Sequence, residues 1–188
     1  MKTLAGKVVS VHAGSNDDLS KEAHATITVE LDGIVGDRHR GYVRKCWAGD
    51  KQAEGSARRN ERQWSAMSVE ELAEIAAAMG AAGPVTAAST GANLCIEGIP
   101  DLSKLPKGTL LRFPSGAELV VEEYNPPCRL MSAIQGRLHG VAETAFSKAA
   151  TLKRGVVGVV EAAGTISAGD AVTVVIYETP AWLARGER

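Results

Sequence analysis

Hydrophobic and polar positions along the chain repeat with two different periods. Between Ala25 and Leu31, Ile27, Val29 and Leu31 fall on one side and Thr26, Thr28 and Glu30 on the other, the period of a half-buried strand. Gly6–Val11 predicts a first strand pairing nearby. Thr109–Phe113 and Ala117–Glu122 predict a hairpin closed by Pro114-Ser115-Gly116, residue types that suit a tight turn. A second hairpin is expected where Val156–Glu161 leads through Gly164-Thr165-Ile166-Ser167-Ala168-Gly169-Asp170 into Ala171–Tyr177, whose Val172, Val174 and Ile176 share a face.

The other period is helical. Ser68 and Glu71 form a capping box, and Val69, Leu72, Ile75, Ala76 and Met79 form an apolar stripe that stops at Gly80, which predicts a helix over 69–79. More helix is expected between Leu130 and Ala150, where Val141, Ala145 and Ala149 have helical spacing but Gly136 and Gly140 interrupt what precedes them. Strands dominate and helices are inserts. The chain is therefore expected to be mainly β with inserted helices, as a curled or closed antiparallel sheet rather than a doubly wound parallel one.

Composition narrows the partners. A chain of 188 residues that is 45% hydrophobic can bury its own core and suits one domain over residues 1–188. A net charge of −1 and eight aromatic residues describe neither a general nucleic-acid binder that stacks bases nor a membrane-surface binder. Met1-Lys2-Thr3-Leu4-Ala5-Gly6 leads into no apolar run long enough for a signal peptide, and no later run approaches a membrane span, so a cytoplasmic protein is expected.

The near-neutral total hides an asymmetry. Gly41–Asn60 fits neither period, and from Arg38 to Arg62 eight basic residues stand against three acidic ones, a net of +5 that leaves −6 elsewhere. Two readings fit, a solvated flexible loop or a wall presenting guanidinium groups to a phosphate-bearing ligand.

Three cysteines, an odd number, argue against a disulfide framework and for a reducing compartment. Cys128 follows the strand-like run Leu119–Tyr124 and lies in Asn125-Pro126-Pro127-Cys128-Arg129, where two prolines fix φ and end sheet pairing. A neighbouring Arg129 favours thiolate, the form that attacks, carries sulfur or ligates a soft metal, while a buried inert thiol is the plainer alternative. Cys46 is expected in the charged loop and accessible. Cys95, between apolar neighbours, reads as core filler. Neither the cysteines nor His12, His24, His39 and His139 have zinc-ligand spacing. In Gly33-Ile34-Val35-Gly36-Asp37-Arg38-His39 the glycines permit a tight turn, and Asp37 and His39 either cap it or meet a ligand; neither a phosphate loop nor a dinucleotide fingerprint is present.

In order, Gly33–His39, Asn60-Glu61-Arg62-Gln63-Trp64-Ser65, Gly91-Ala92-Asn93-Leu94, Leu105-Pro106-Lys107-Gly108-Thr109-Leu110-Leu111, Pro127-Cys128 and the closing Gly155–Val160 with Gly164–Asp170 resemble the MOSC domain. This is the C-terminal domain of molybdenum cofactor sulfurases, which also occurs alone in small bacterial proteins. The resemblance implies a MOSC-type β-barrel, similar to the barrel domain of pyruvate kinase, and a site that holds a molybdenum-pterin cofactor or transfers sulfur. It implies Cys128 as the reactive residue and metal ligand, with Arg62, Asn93, Arg129, His39 and Arg44 contacting the pterin or its phosphate. In amidoxime- and hydroxylaminopurine-reducing members a cysteine at this position ligates molybdenum; in sulfurases it handles sulfur. Ala92 departs from a family position that is often Glu. The additional N-terminal or iron-sulfur regions and the desulfurase domain of longer members have no counterpart here, which implies a separate redox or sulfur-donor protein. A barrel that binds an anion or another protein without chemistry is the remaining expectation.

Overall fold

The computed structural model describes residues 2–180. Its strands are β1 (Thr3–Ala13), β2 (Glu22–His24), β3 (Thr26–Glu30), β4 (Gly33–Ile34), β5 (Val43–Lys45), β6 (Ala57–Arg59), β7 (Trp64–Ser68), β8 (Leu94–Glu97), β9 (Leu110–Arg112), β10 (Glu118–Tyr124), β11 (Val156–Ala162), β12 (Gly164–Ser167) and β13 (Ala171–Val175). The helices are α1 (Val69–Met79), α2 (Arg129–His139) and α3 (Ala145–Ala149), with a 3₁₀ turn at Leu102–Lys104.

Seven strands close a barrel in the order β1-β13-β9-β10-β11-β7-β8, and β2 extends β1 beyond it. Closure depends on the length of β1. Thr3–Lys7 pairs with β13 on one edge, while Lys7–Val11 pairs with β8 on the other. The one parallel neighbour in the ring, β7 against β8, is joined through α1, since a parallel pair needs a crossover rather than a tight turn. Inward residues such as Val8, Trp64, Ala66, Leu111, Leu119, Val156 and Val174 fill the barrel core. A second core of Met67, Leu72, Ile75, Met79, Met131 and Phe146 binds the helices to the outside of the wall.

The helix over 69–79 is as expected. Ser68 Oγ accepts from the Glu71 amide, and Gly80 ends the helix in the left-handed region at φ 68°. Within the stripe Leu72, Ile75 and Met79 are buried, whereas Val69 remains 37% exposed. The Leu130–Ala150 region divides into two helices. Gly140 closes α2 in the left-handed conformation, but Gly136 sits inside it, because a Cβ there would lie 2.9 Å from Glu143 Cα in the returning chain.

The hairpin of β9 and β10 forms as predicted. The second does not. β11 pairs with β10 and β7, β13 pairs with β9 and β1, and β12 leaves the barrel to pair with β3, placing Ile166 opposite Ile27 with both buried. Burial of these two side chains makes Gly164–Asp170 a link between sheets. On β3 itself the alternation holds through Glu30, but Leu31 is 52% exposed because the chain turns into β4. Gly41–Asn60 is not structureless either; it forms the two-stranded ribbon of β5 and β6.

Candidate functional site

Asn125-Pro126-Pro127 carries the chain from the end of β10 to Cys128, which is the N-cap of α2: its Sγ accepts from the Met131 amide at 3.4 Å. Cys128 is the exposed thiol of the three. An eleven-residue helix beginning at this residue directs its positive end toward the sulfur.

Beside it is a cavity of about 480 Å³, lined by Cys128, His39, Trp47, Ser65, Thr90, Met131 and three arginines, Arg38, Arg62 and Arg154, among others. It lies against the outer wall of the barrel. Trp64, Ala66 and Val156 point into the core, so the cross-strand partners Ser65 and Val157 face outward and form its floor. Among the described residues, no aspartate or glutamate lines it. Arg62 donates from Nη2 to Asn125 Oδ1 at 2.5 Å, and Arg154 donates from Nη2 to the Thr90 carbonyl at 2.6 Å. Among the described residues neither has a carboxylate within ion-pair distance. Burial depresses both guanidiniums, Arg154 to about 10, so it keeps its proton at neutral pH.

A buried network supports the opposite side. Asp37 Oδ2 accepts from Lys21 Nζ at 2.6 Å and from Asn93 Nδ2 at 2.8 Å, while Oδ1 lies 3.3 Å from His39 Nδ1. Burial alone would raise the Asp37 carboxyl, but the hydrogen bonds from His39 and Lys21 hold it well below the usual range. Burial lowers Lys21 and His39. Because Nδ1 of His39 faces Asp37, its Nε2 is the ring nitrogen available to the cavity.

The ribbon closes the remaining side with Trp47, half-exposed, over which Arg44 stacks at 4.0 Å and Arg62 at 5.6 Å from the ring centroid. Its positive charge is largely spent internally. Arg44 binds Asp50 at 2.7 Å and Glu61 at 2.6 Å, Arg58 binds Asp50 at 2.6 Å, and Arg59 binds Glu122 at 2.7 Å.

Of the residues proposed from sequence, Cys128, Arg62 and His39 meet at the cavity. Asn93 is fully buried behind it and acts on it through Asp37. Arg44 touches it only by way of Trp47, and Arg129 is exposed and not among the lining residues. Cys46, expected to be accessible, is 2% exposed because the ribbon folds over it, its amide and carbonyl bonding Ser56 and Gly55. Cys95 is core, and burial pushes its thiol up to about 11. Sequence reasoning missed Arg154 and Trp47. A lone Arg ahead of an apolar strand carries no signal of its own, and Trp47 was visible only as a neighbour of Cys46.

Among the described residues no group of three or more His, Cys, Asp and Glu could hold a metal ion, and no helix is long and apolar enough to cross a membrane. The architecture thus defines a mainly β, seven-stranded barrel protein with one accessible cysteine at a positively lined cavity on its outer wall. The chain belongs to the MOSC domain family, whose model matches residues 36–173. It is 32% identical over 181 residues, 94% of each chain, to a Bacillus subtilis (strain 168) protein described as "Putative metal-sulfur cluster biosynthesis proteins YuaD". A crystal structure of YuaD from Bacillus subtilis superposes with a TM-score of 0.90 at 30% identity, covering 94% of this chain and 99% of that one. YiiM from Geobacillus stearothermophilus shares the fold, with a TM-score of 0.62 at 19% identity over 92% of this chain and 75% of its own.

Proposed function

We propose that the cavity binds a molybdenum-pterin cofactor and that the sulfur of Cys128 is the protein ligand to the metal. The observation that carries this reading is the accessible Cys128 thiol at the start of α2, beside a cavity lined, among the described residues, by three arginines and no carboxylate. The residues fit such a group. A thiolate suits a soft metal centre, guanidiniums suit an anionic pterin phosphate, and the absence of a multi-residue ligand cluster among the described residues accords with a metal that brings most of its ligands along. When bound, the group supplies redox chemistry at the metal. Arg62 holds the anionic end, Asn93 and Lys21 fix Asp37, and Asp37 orients His39 so that Nε2 can hold or accept a proton. The reaction to test first is reduction of an N-hydroxylated substrate, with electrons from a separate redox protein.

Protein purified from a host that makes the cofactor should contain molybdenum and an oxidisable fluorescent pterin near one equivalent each. Cys128→Ser should lose the metal while melting at the wild-type temperature, since serine also caps a helix. Absence of both metal and pterin from the wild-type protein would sink the reading.

The exposure of Cys128, together with the metal-sulfur cluster biosynthesis role named for the Bacillus subtilis relative, supports a second reading, a sulfur carrier with a Cys128 persulfide. Incubation with a desulfurase and its sulfur donor should then add one sulfur by mass, and Cys128→Ser should not take it up.

A further inference from the structure

Leu19 lines the cavity and, with Leu152, is one of two described residues other than glycine that have a positive φ. Its φ of 64° lies in the left-handed region, which a bulky apolar residue enters only at a cost. The conformation is held from several sides. The Leu19 amide and Arg38 Nη1 both donate to the Asn16 carbonyl at 3.0 Å, the Asn16 side chain donates to Ser20 Oγ at 3.2 Å, and Lys21, two residues on, is anchored on Asp37. Gly91, also on the cavity, makes room for it: at φ 74°, a Cβ there would lie 2.5 Å from the Leu19 carbonyl oxygen and 3.8 Å from Met131 Cε. Leu19 packs half-buried against the core that contains Met131, and the Met131 amide is the donor to Cys128 Sγ. Leu130, exposed, lines the cavity one residue away. Leu19, Leu130 and Met131 thus form an uncharged, apolar side of the cavity next to the sulfur. The turn itself does not call for leucine, because glycine or asparagine would take this backbone conformation at lower cost.

We infer that Leu19 determines what the Cys128 site accepts: it is the wall against which the apolar body of a small-molecule substrate lies while the reacting group of that substrate meets the site at Cys128. This rests on the reading of the cavity as the reaction site and names its substrate class, a small molecule with an uncharged aliphatic or aromatic body. Each methylene laid against Leu19 leaves water. A charged or hydrogen-bonding group there loses water and finds no partner, so the wall favours an apolar body and rejects a polar one.

The test uses Cys128 as its own reporter. Full-length protein purified from a host unable to make the pterin is treated with two neutral reagents, N-methylmaleimide and N-cyclohexylmaleimide. The rate of addition at Cys128, located by peptide mass, is divided for each by the rate with glutathione. The wild type is expected to favour the cyclohexyl reagent about tenfold beyond the glutathione ratio, the worth of burying roughly two methylenes. Leu19→Asn, close in size and at ease in the left-handed conformation, should fold, as its melting transition will show, and lose that preference. Leu19→Met, unbranched but apolar, should keep it. A wild-type protein that discriminates no more than glutathione overturns the inference, and so does Leu19→Asn with the preference intact. Should Leu19→Asn fail to fold, Leu19→Ala decides the matter in the same assay: a preference kept in full overturns it, and a lost one supports it. Molybdenum and pterin missing from protein made in a cofactor-producing host, with the maleimide preference present, would defeat the cofactor reading alone. Full cofactor occupancy there, with no preference in the wild type, would defeat only this one.

Discussion

Lys21 and Asp37 both have side chains with no solvent exposure, so each depends on the other for its charge. Asp37→Asn would leave the Lys21 ammonium buried without a counter-charge, and is expected to cost about 3–5 kcal/mol in denaturant unfolding. His39 would lose its orienting carboxylate in the same change. Glu71 behaves in the opposite way. Burial pushes its carboxyl up to about 7, against hydrogen bonds from the Ser103 amide and hydroxyl. The folded state therefore holds this proton more tightly than the unfolded chain, and stability from this group rises as pH falls from 7 toward the ordinary carboxylate value. Thermal melts across that range should show the rise, and Glu71→Gln should remove the inflection near 7. At this scale much of the site was legible. Cys128 stood out because what positions it, two prolines and a strand end, is adjacent in sequence. Arg154 did not, because its significance is the absence of a partner, a property of surroundings drawn from distant segments.

The ribbon of β5 and β6 shows how an element's role depends on where its charges go. Asp50 and Glu61 neutralise Arg44 and Arg58, so the element acts as a clamp that presents Trp47, rather than as a field of free cations. Arg44 hydrogen bonds hold Asp50 well below the usual carboxylate range, so the clamp persists into mildly acidic solution. Glu61→Gln should loosen it: amide hydrogen exchange across 46–56 is expected to quicken by roughly tenfold, while the global melting temperature moves little. The capped helix α1 was readable to the residue because its signals, the Ser68 cap, the stripe and Gly80, are local. The second hairpin was misread for the converse reason. The period of a strand gives the face it buries but not its partner, and β11, β12 and β13 each pair with strands remote in sequence.

The whole molecule depends on closing the barrel between β1 and β13, the first and last of its strands. Val174 on β13 is fully buried in the barrel core, and its neighbour Thr173 faces outward. Val174→Asp puts a carboxylate into that interior and should abolish folding, since the penalty of several kcal/mol is comparable with the whole stability of a typical domain. Thr173→Asp, one residue away on the other face, should fold and melt within about 0.5 kcal/mol of the wild type. Far-UV circular dichroism and gel filtration distinguish the two outcomes. What the sequence determined alone was the helix α1, the runs that became β1, β3, β9, β10, β11 and β13, the strand-rich class and the singular position of Cys128, because periodicity, caps and proline act over a few residues. What the tertiary structure decided was strand partnership, the burial of Cys46, the neutralisation of the ribbon and the meeting of Arg62, Arg154, His39 and Cys128 on one wall. Those depend on which segments, distant along the chain, bury apolar surface against one another, and on which charges then find a partner.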